Sequence, residues 1–294
     1  MNIGKKSVPF KADRDIPPLD GKVILVTGGN IGLGKQCVLE YAKHNPAKIY
    51  LAARTPSKAQ AALDEIQKAL PRPANIVLLD LDLASLDSVK KAASTVLAES
   101  ERLDILMLNA GIMAAPPSLT KDGYELQFGT NYLGHALLAK LLTPLLEKTA
   151  LLALPDSEDV RIITLSSHGH MYAPKPDGIR YETLRTPADS LGAYGRYGQS
   201  KLAAILWARH AATLYPQFTI AAIHPELAAN KVVVPVEQGV RNQLWASVAK
   251  EGVTSGGYYE PVGIGGTATE LGKDEKLAQR LWEWTEEELK GYTL

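Results

Sequence analysis

The stretch Lys22-Val23-Ile24-Leu25-Val26-Thr27-Gly28-Gly29-Asn30-Ile31-Gly32-Leu33-Gly34 decides the fold. Val23 to Thr27 is an apolar, β-branched run that reads as a buried strand, and the glycines after it open a helix running to about Asn45. Glycine lets the chain turn tightly and lets an anion approach the free N–H groups of a helix start, where the dipole favours negative charge. Strand, glycines and helix in this order predict a nucleotide-binding turn made by Thr27, Gly28, Asn30, Ile31, Gly32, Leu33 and Gly34. A methyltransferase would use a similar turn, so the motif alone leaves the nucleotide open.

The pattern continues outward as short apolar runs alternating with amphipathic ones, as a parallel sheet covered by helices on both faces requires. Strands are expected at Ala47 to Ala53, Asn75 to Leu79, Leu103 to Leu108, Val160 to Leu165 and Thr219 to Ile223. Helices are expected at Ser57 to Leu70, Ser85 to Ser100, Gly123 to Thr149, Gly198 to Leu214 and Asn242 to Lys250, with Pro144 kinking or shortening the third of these. The reading is a doubly wound α/β domain of about seven strands in order 3-2-1-4-5-6-7. Residues 1–20 form an N-terminal extension, residues 21–294 one domain, residues 225–266 a substrate-loop region, and residues 273–290 a last amphipathic helix.

Charge narrows the function classes. Thirty-two Lys and Arg balance 32 Asp and Glu, so no net field draws the chain to nucleic acid or anionic lipid. Cys37 is the single cysteine, which excludes an intrachain disulfide and a cysteine-rich zinc cage, and a role in helix packing is expected. Leu137 to Leu154 is interrupted by Lys140, Pro144, Glu147 and Lys148, and no signal-like run precedes Gly21, so neither a membrane span nor a secretory signal is expected. A cytoplasmic location is the simplest expectation.

Ligands of such sheets bind beyond the carboxyl ends of the strands. At the end of the second strand, where a site for NAD places an acidic residue on the ribose, the chain reads Ala52-Ala53-Arg54-Thr55, with Lys58 four residues on. A guanidinium there suits a 2′-phosphate, which points to NADP(H). Tyr197 and Lys201 stand four residues apart on one helical face, where a cation favours phenolate. Ser166-Ser167 ends the fifth strand on the same edge.

Thr27-Gly28-x-x-x-Gly32-x-Gly34, Asp82-Leu83, Asn109-Ala110-Gly111, Asn131-Tyr132-Leu133-Gly134-His135, Ser166-Ser167 and Tyr197-x-x-x-Lys201 occur in the order that resembles the short-chain dehydrogenase/reductase family, over nearly all of the chain from Gly21 onward. The stretch from Asn131 to His135, that from Tyr197 to Ala203, and Gly257 to Gly263 look most like its retinol-dehydrogenase and WW-domain-oxidoreductase branch, particularly fungal members. The resemblance implies Tyr197 as proton donor or acceptor and Lys201 as the holder of the nicotinamide ribose and the group that lowers the Tyr197 pKa. It further implies Ser167 on the substrate oxygen, Asn131 positioning a relay water, Asp82 and Leu83 at the adenine, and Asn109, Ala110 and Gly111 along the cofactor cleft. Pro225, Leu227 and Asn230 would follow the nicotinamide. Transfer from the pro-S side is implied too, and relatives that pair through the helices near Gly123 and Gly198 imply a homo-oligomer.

Two departures qualify the resemblance. The segment between Ser167 and Tyr197 is long and is expected to shape the substrate pocket; its His168-Gly169-His170 lacks a third ligand, and no metal is assigned. Pro225-Glu226-Leu227-Ala228-Ala229-Asn230 stands where the family reads Pro-Gly-x-Val-x-Thr, and a Glu226 carboxylate near a pyrophosphate is expected to weaken cofactor binding, so that Glu226→Gly would tighten it. The expected function is an NADPH-dependent carbonyl reductase or alcohol dehydrogenase acting on a partly hydrophobic small molecule. The alternatives are a non-catalytic NADP(H)-binding sensor or scaffold, and an epimerase or dehydratase.

Overall fold

The computed structural model describes residues 7–152, 160–226, 228–229 and 232–294. Strand β1 (Val23–Thr27) sends Ile24 and Val26 to one face and Val23 and Leu25 to the other, and all are buried. It lies between β2 (Lys48–Ala53) and β4 (Ile105–Leu108), and the sheet extends to β3 (Ile76–Asp80), β5 (Val160–Leu165), β6 (Phe218–Ile223) and β7 (Tyr258–Glu260). These seven strands run parallel in the order β3-β2-β1-β4-β5-β6-β7. A two-residue antiparallel strand, β8 (Ile264–Gly265), is added at the β7 edge, so the sheet has eight strands where about seven are expected.

Helices α1 (Gly32–Ala42), α2 (Pro56–Ala69) and α6 (Arg241–Val248) cover one face. Phe10, Ile16 and Leu19 of the N-terminal stretch are buried there, as is Cys37, whose thiol is pushed upward by burial. Helices α3 (Leu86–Glu99), α4 (Gly134–Leu151), α5 (Gly192–Leu214) and α7 (Glu275–Leu289) cover the other face. Helix α7 lies on α4 and α5: Lys140 pairs with Glu286 at 2.6 Å, the Tyr132 and Thr285 hydroxyls bond at 2.6 Å, and Trp207 stacks on Trp282.

The helices differ from the sequence reading at four places. Helix α1 stops at Ala42 because Asn45 takes φ 62°, a left-handed terminator. Pro144 lies inside α4 without ending it; its ring is exposed, where water can serve the carbonyl it orphans, while Leu141, Leu142, Leu145 and Leu146 stay buried. The helical path expected from Gly123 begins at Leu126, passes through a π-helical turn at Gly129–Leu133, and only then becomes α4. Helix α5 starts six residues before Gly198, so Tyr197 lies well inside it.

Candidate active site

The glycine turn has the backbone its composition demands. Gly28 and Gly32 take φ of +66° and +53°, and a Cβ on Gly34 would stand 2.3 Å from the Gly28 carbonyl oxygen. Only glycine fits, and the first turn of α1 starts at extended Ile31 without a side-chain cap, leaving its N–H groups available. This turn floors a cleft of about 580 Å³ along the carboxyl edge of the sheet. Of the residues expected to hold a cofactor, all line the cleft except Thr27, Leu227 and Asn230; Leu227 and Asn230 lie outside the described residues. Arg54 and Lys58 are exposed at one end and form no ion pair among the described residues. Asp82 accepts from the Ala84 N–H at 3.1 Å and pairs with Lys121 at 3.5 Å.

Thr27 is buried behind the cleft. Its Oγ1 accepts from the N–H groups of Asn109 and Ala110, both at 2.9 Å, so its proton goes to His135 Nε2 at 2.8 Å. His135 then donates from Nδ1 to the Asn131 carbonyl at 3.0 Å, and burial lowers its pKa to about 4, which keeps the ring neutral. The sequence motif contained His135 without revealing this role. Gln243, equally unforeseen, donates to Asn109 Oδ1 at 2.9 Å.

Asn131 does not reach the cleft. Its side chain accepts from Ile112 N–H at 2.8 Å and donates to the Ile112 carbonyl and Ser200 Oγ, both at 2.9 Å, so both of its amide protons are used. It clamps the Gly111–Ile112 turn, and only its carbonyl retains capacity toward a water.

Helix α5 and the strand end β5 bring Tyr197, Lys201 and Ser167 together. Lys201 Nζ donates to the Leu165 carbonyl at 2.7 Å and lies 5.7 Å from the Tyr197 ring centre. Burial lowers Lys201 to about 8. Tyr197 is raised above the usual tyrosine value by burial, and its hydrogen bond with Ser167 opposes the rise. The direction at Tyr197 is thus set by burial and not by Lys201, whose ammonium is bonded to the Leu165 carbonyl and lies over the ring. Ser167 Oγ also accepts from Gly169 N–H at 2.9 Å, while Ser166 is tied to the Lys201 carbonyl at 2.7 Å. Two glycines allow this packing: a Cβ on Gly169 would stand 2.8 Å from Tyr197 Cε1, and one on Gly198 would stand 2.6 Å from the backbone of Tyr172 and Ala173.

The long segment after Ser167 divides its work. Its first turn, His168–Tyr172, borders the mouth with exposed Tyr172, which faces Tyr194 at 5.9 Å. Its middle turns away: Ile179 and Leu184 are buried in the core and Tyr181 packs on Trp284 of α7. His170 donates from Nδ1 to the Ser167 carbonyl at 2.7 Å and accepts at Nε2 from Thr269 N–H at 3.1 Å, which occupies both ring nitrogens.

Glu226 also departs from expectation. Its carboxylate accepts from Arg241 Nη2 at 2.6 Å and Gln238 Nε2 at 2.9 Å, and it does not line the cleft. The ion pair turns its charge from the pyrophosphate position and ties the chain after Pro225 to the start of α6.

Residues 22–181 match the family model described as short chain dehydrogenase. The chain is 36% identical to a short-chain dehydrogenase/reductase of Aspergillus calidoustus, covering 94% of this chain and 96% of that one. It is 33% identical to retinol dehydrogenase 13 of Homo sapiens, with 90% and 83% covered. A crystal structure of an uncharacterized protein from Mycobacterium Paratuberculosis superposes with a TM-score of 0.77 and 28% identity over 96% of this chain and 97% of that one.

Proposed function

We propose a function for a chain that belongs to the short-chain dehydrogenase/reductase family, in its retinol-dehydrogenase-like branch: reduction of a carbonyl compound, or oxidation of the matching alcohol, with NADP(H). The observation that carries the reading is that Tyr197 and Lys201 line a cleft that Arg54 and Lys58 also line, with Ser167 hydrogen-bonded to Tyr197. The glycine cradle fits a dinucleotide, since Gly34, where a Cβ would strike the Gly28 backbone and Asn109, lets the start of α1 pack close against the turn that lines the cleft. A nicotinamide dinucleotide, when bound, supplies or accepts the hydride. Pyrophosphate oxygens would meet the open N–H groups of α1, and a 2′-phosphate would meet Arg54. Tyr197 would pass its phenolic proton to the substrate oxygen while the Ser167 hydroxyl donates to the same atom. Lys201 would exchange its Leu165 bond for ribose hydroxyls, and its charge would then favour phenolate.

Met113, exposed in the cleft lining, and the exposed Tyr172 and Tyr194 pair that follows Ser167 in the chain support a partly hydrophobic substrate. The preference for NADPH over NADH is tested by titration calorimetry. Wild type is expected to prefer NADPH by at least about tenfold, roughly the worth of one charge-assisted bond, and Arg54→Asp to reverse the order. Equal affinities in wild type would reject NADP(H).

A further inference from the structure

Strands β5, β6 and β7 are neighbours, and each carries a polar residue at or just beyond its carboxyl end: His168, His224 and Glu260. His168 Nδ1 lies 2.8 Å from Glu260 Oε1, and the His168 and His224 rings are 6.2 Å apart. The backbone bearing His168 runs between Ser167 and Gly169, the two residues pressed on Tyr197, so this corner adjoins the proposed reacting end of the cleft. A carboxylate can only accept, so Nδ1 is the donor to Glu260 and a neutral ring presents its lone pair at Nε2. That nitrogen has no partner among the described residues, and the side chain is 60% exposed. Tyr172, at the other end of the same turn as His168, faces Tyr194 at 5.9 Å; both are exposed, as is Met113, which lines the cleft.

We propose that His168, held by Glu260, is a specificity-determining acceptor for a hydroxyl on the substrate, so that the enzyme prefers hydroxylated aromatic or similarly flat carbonyl compounds over their deoxy counterparts. The proposal rests on the reductase reading above. An aromatic body suits the exposed Met113, Tyr172 and Tyr194 side chains, and a hydroxyl donor suits the imidazole acceptor of His168. Glu260 fixes the tautomer and the ring orientation, as second partners of a functional imidazole do.

The test is kcat/KM of the full chain with NADPH for acetophenone, its 2-, 3- and 4-hydroxy derivatives, and 3- and 4-acetylbenzoate. Wild type should favour at least one hydroxyacetophenone by about fivefold, mainly through KM, the usual net worth of one neutral hydrogen bond. His168→Phe should reduce that ratio to below about threefold, Glu260→Ala should reduce it partly, and His168→Gln, which keeps an amide acceptor near the Nε2 position, should retain much of it. Because the readout is a ratio within each variant, a general loss of activity or of folded protein cancels. An unchanged ratio in His168→Phe, or no hydroxyl preference in wild type, overturns the proposal while the reductase reading stands. Preference for the acetylbenzoates overturns the acceptor assignment and points to a charged imidazole. No turnover of any ketone with NADPH or NADH overturns the reductase reading, and this proposal with it.

Discussion

Arg196 precedes Tyr197 in α5 and is 1% exposed; Glu125, 3.4 Å from its Nε, is fully buried. The guanidinium also donates to the carbonyls of Ala115 at 2.9 Å and Ala188 at 3.3 Å, so one side chain ties the helix of the proposed proton donor to two loops beside the mouth. Replacing Arg196 by Met strands the Glu125 carboxylate in the interior, a change that costs about 3–5 kcal/mol. With an unfolding entropy of roughly 2 cal/mol/K per residue, this chain loses about 0.6 kcal/mol per degree, so Tm should fall by about 5–8 °C. Glu125 still caps the Phe128 N–H at 2.6 Å, which places the expected fall toward the lower end. The pKa of Glu125 is already raised by burial. A raised carboxylate contributes stability below its unfolded value that is lost as pH rises through the folded value, and losing Arg196 raises it further; the penalty should therefore be larger at pH 8 than at pH 5.5. Adding Glu125→Gln removes the charge, keeps the cap, and should recover about half of the loss at pH 8. Differential scanning calorimetry of wild type, Arg196→Met and the double variant tests this. A single variant with wild-type Tm, or a double variant no more stable than Arg196→Met, refutes the reasoning.

Glu226→Gly should not tighten NADPH binding; loss of the Arg241 anchor behind Pro225 should weaken it by a few-fold in calorimetry, and tightening would restore the sequence-based expectation. Leu281→Ala, at a 1% exposed position of α7, should cost about 2–5 kcal/mol in denaturant unfolding. Since α7 covers α4 and α5, the helices through which the resemblance implied pairing, light scattering of the wild type should give a monomer; a dimer would contradict this.

Local signals carried most of the fold into view. The glycine turn, the strand ends and Arg54 each depend on a few neighbouring residues, so their spacing in the chain is already their geometry. What stayed hidden depends on partners far apart: Thr27 with His135, Arg196 with Glu125, Glu226 with Arg241, and Gln243 with Asn109. Helix α5 extends six residues before Gly198, its expected start, and Gly198 inside it makes room for the Tyr172–Ala173 backbone. Strand β8 is two residues long, too short for periodicity to register. Asn131 shows the opposite case: its motif is legible in the chain, while the partners of its side chain, the Ile112 backbone and Ser200, are not.

The most direct measurement of the central claim is the steady-state rate of ketone-dependent NADPH oxidation by Tyr197→Phe, run beside NADPH titration of the same protein. Loss of turnover by at least about a hundredfold, as expected for a positioned proton donor, with NADPH affinity within a few-fold of wild type, is the predicted result. Turnover near that of wild type would contradict it.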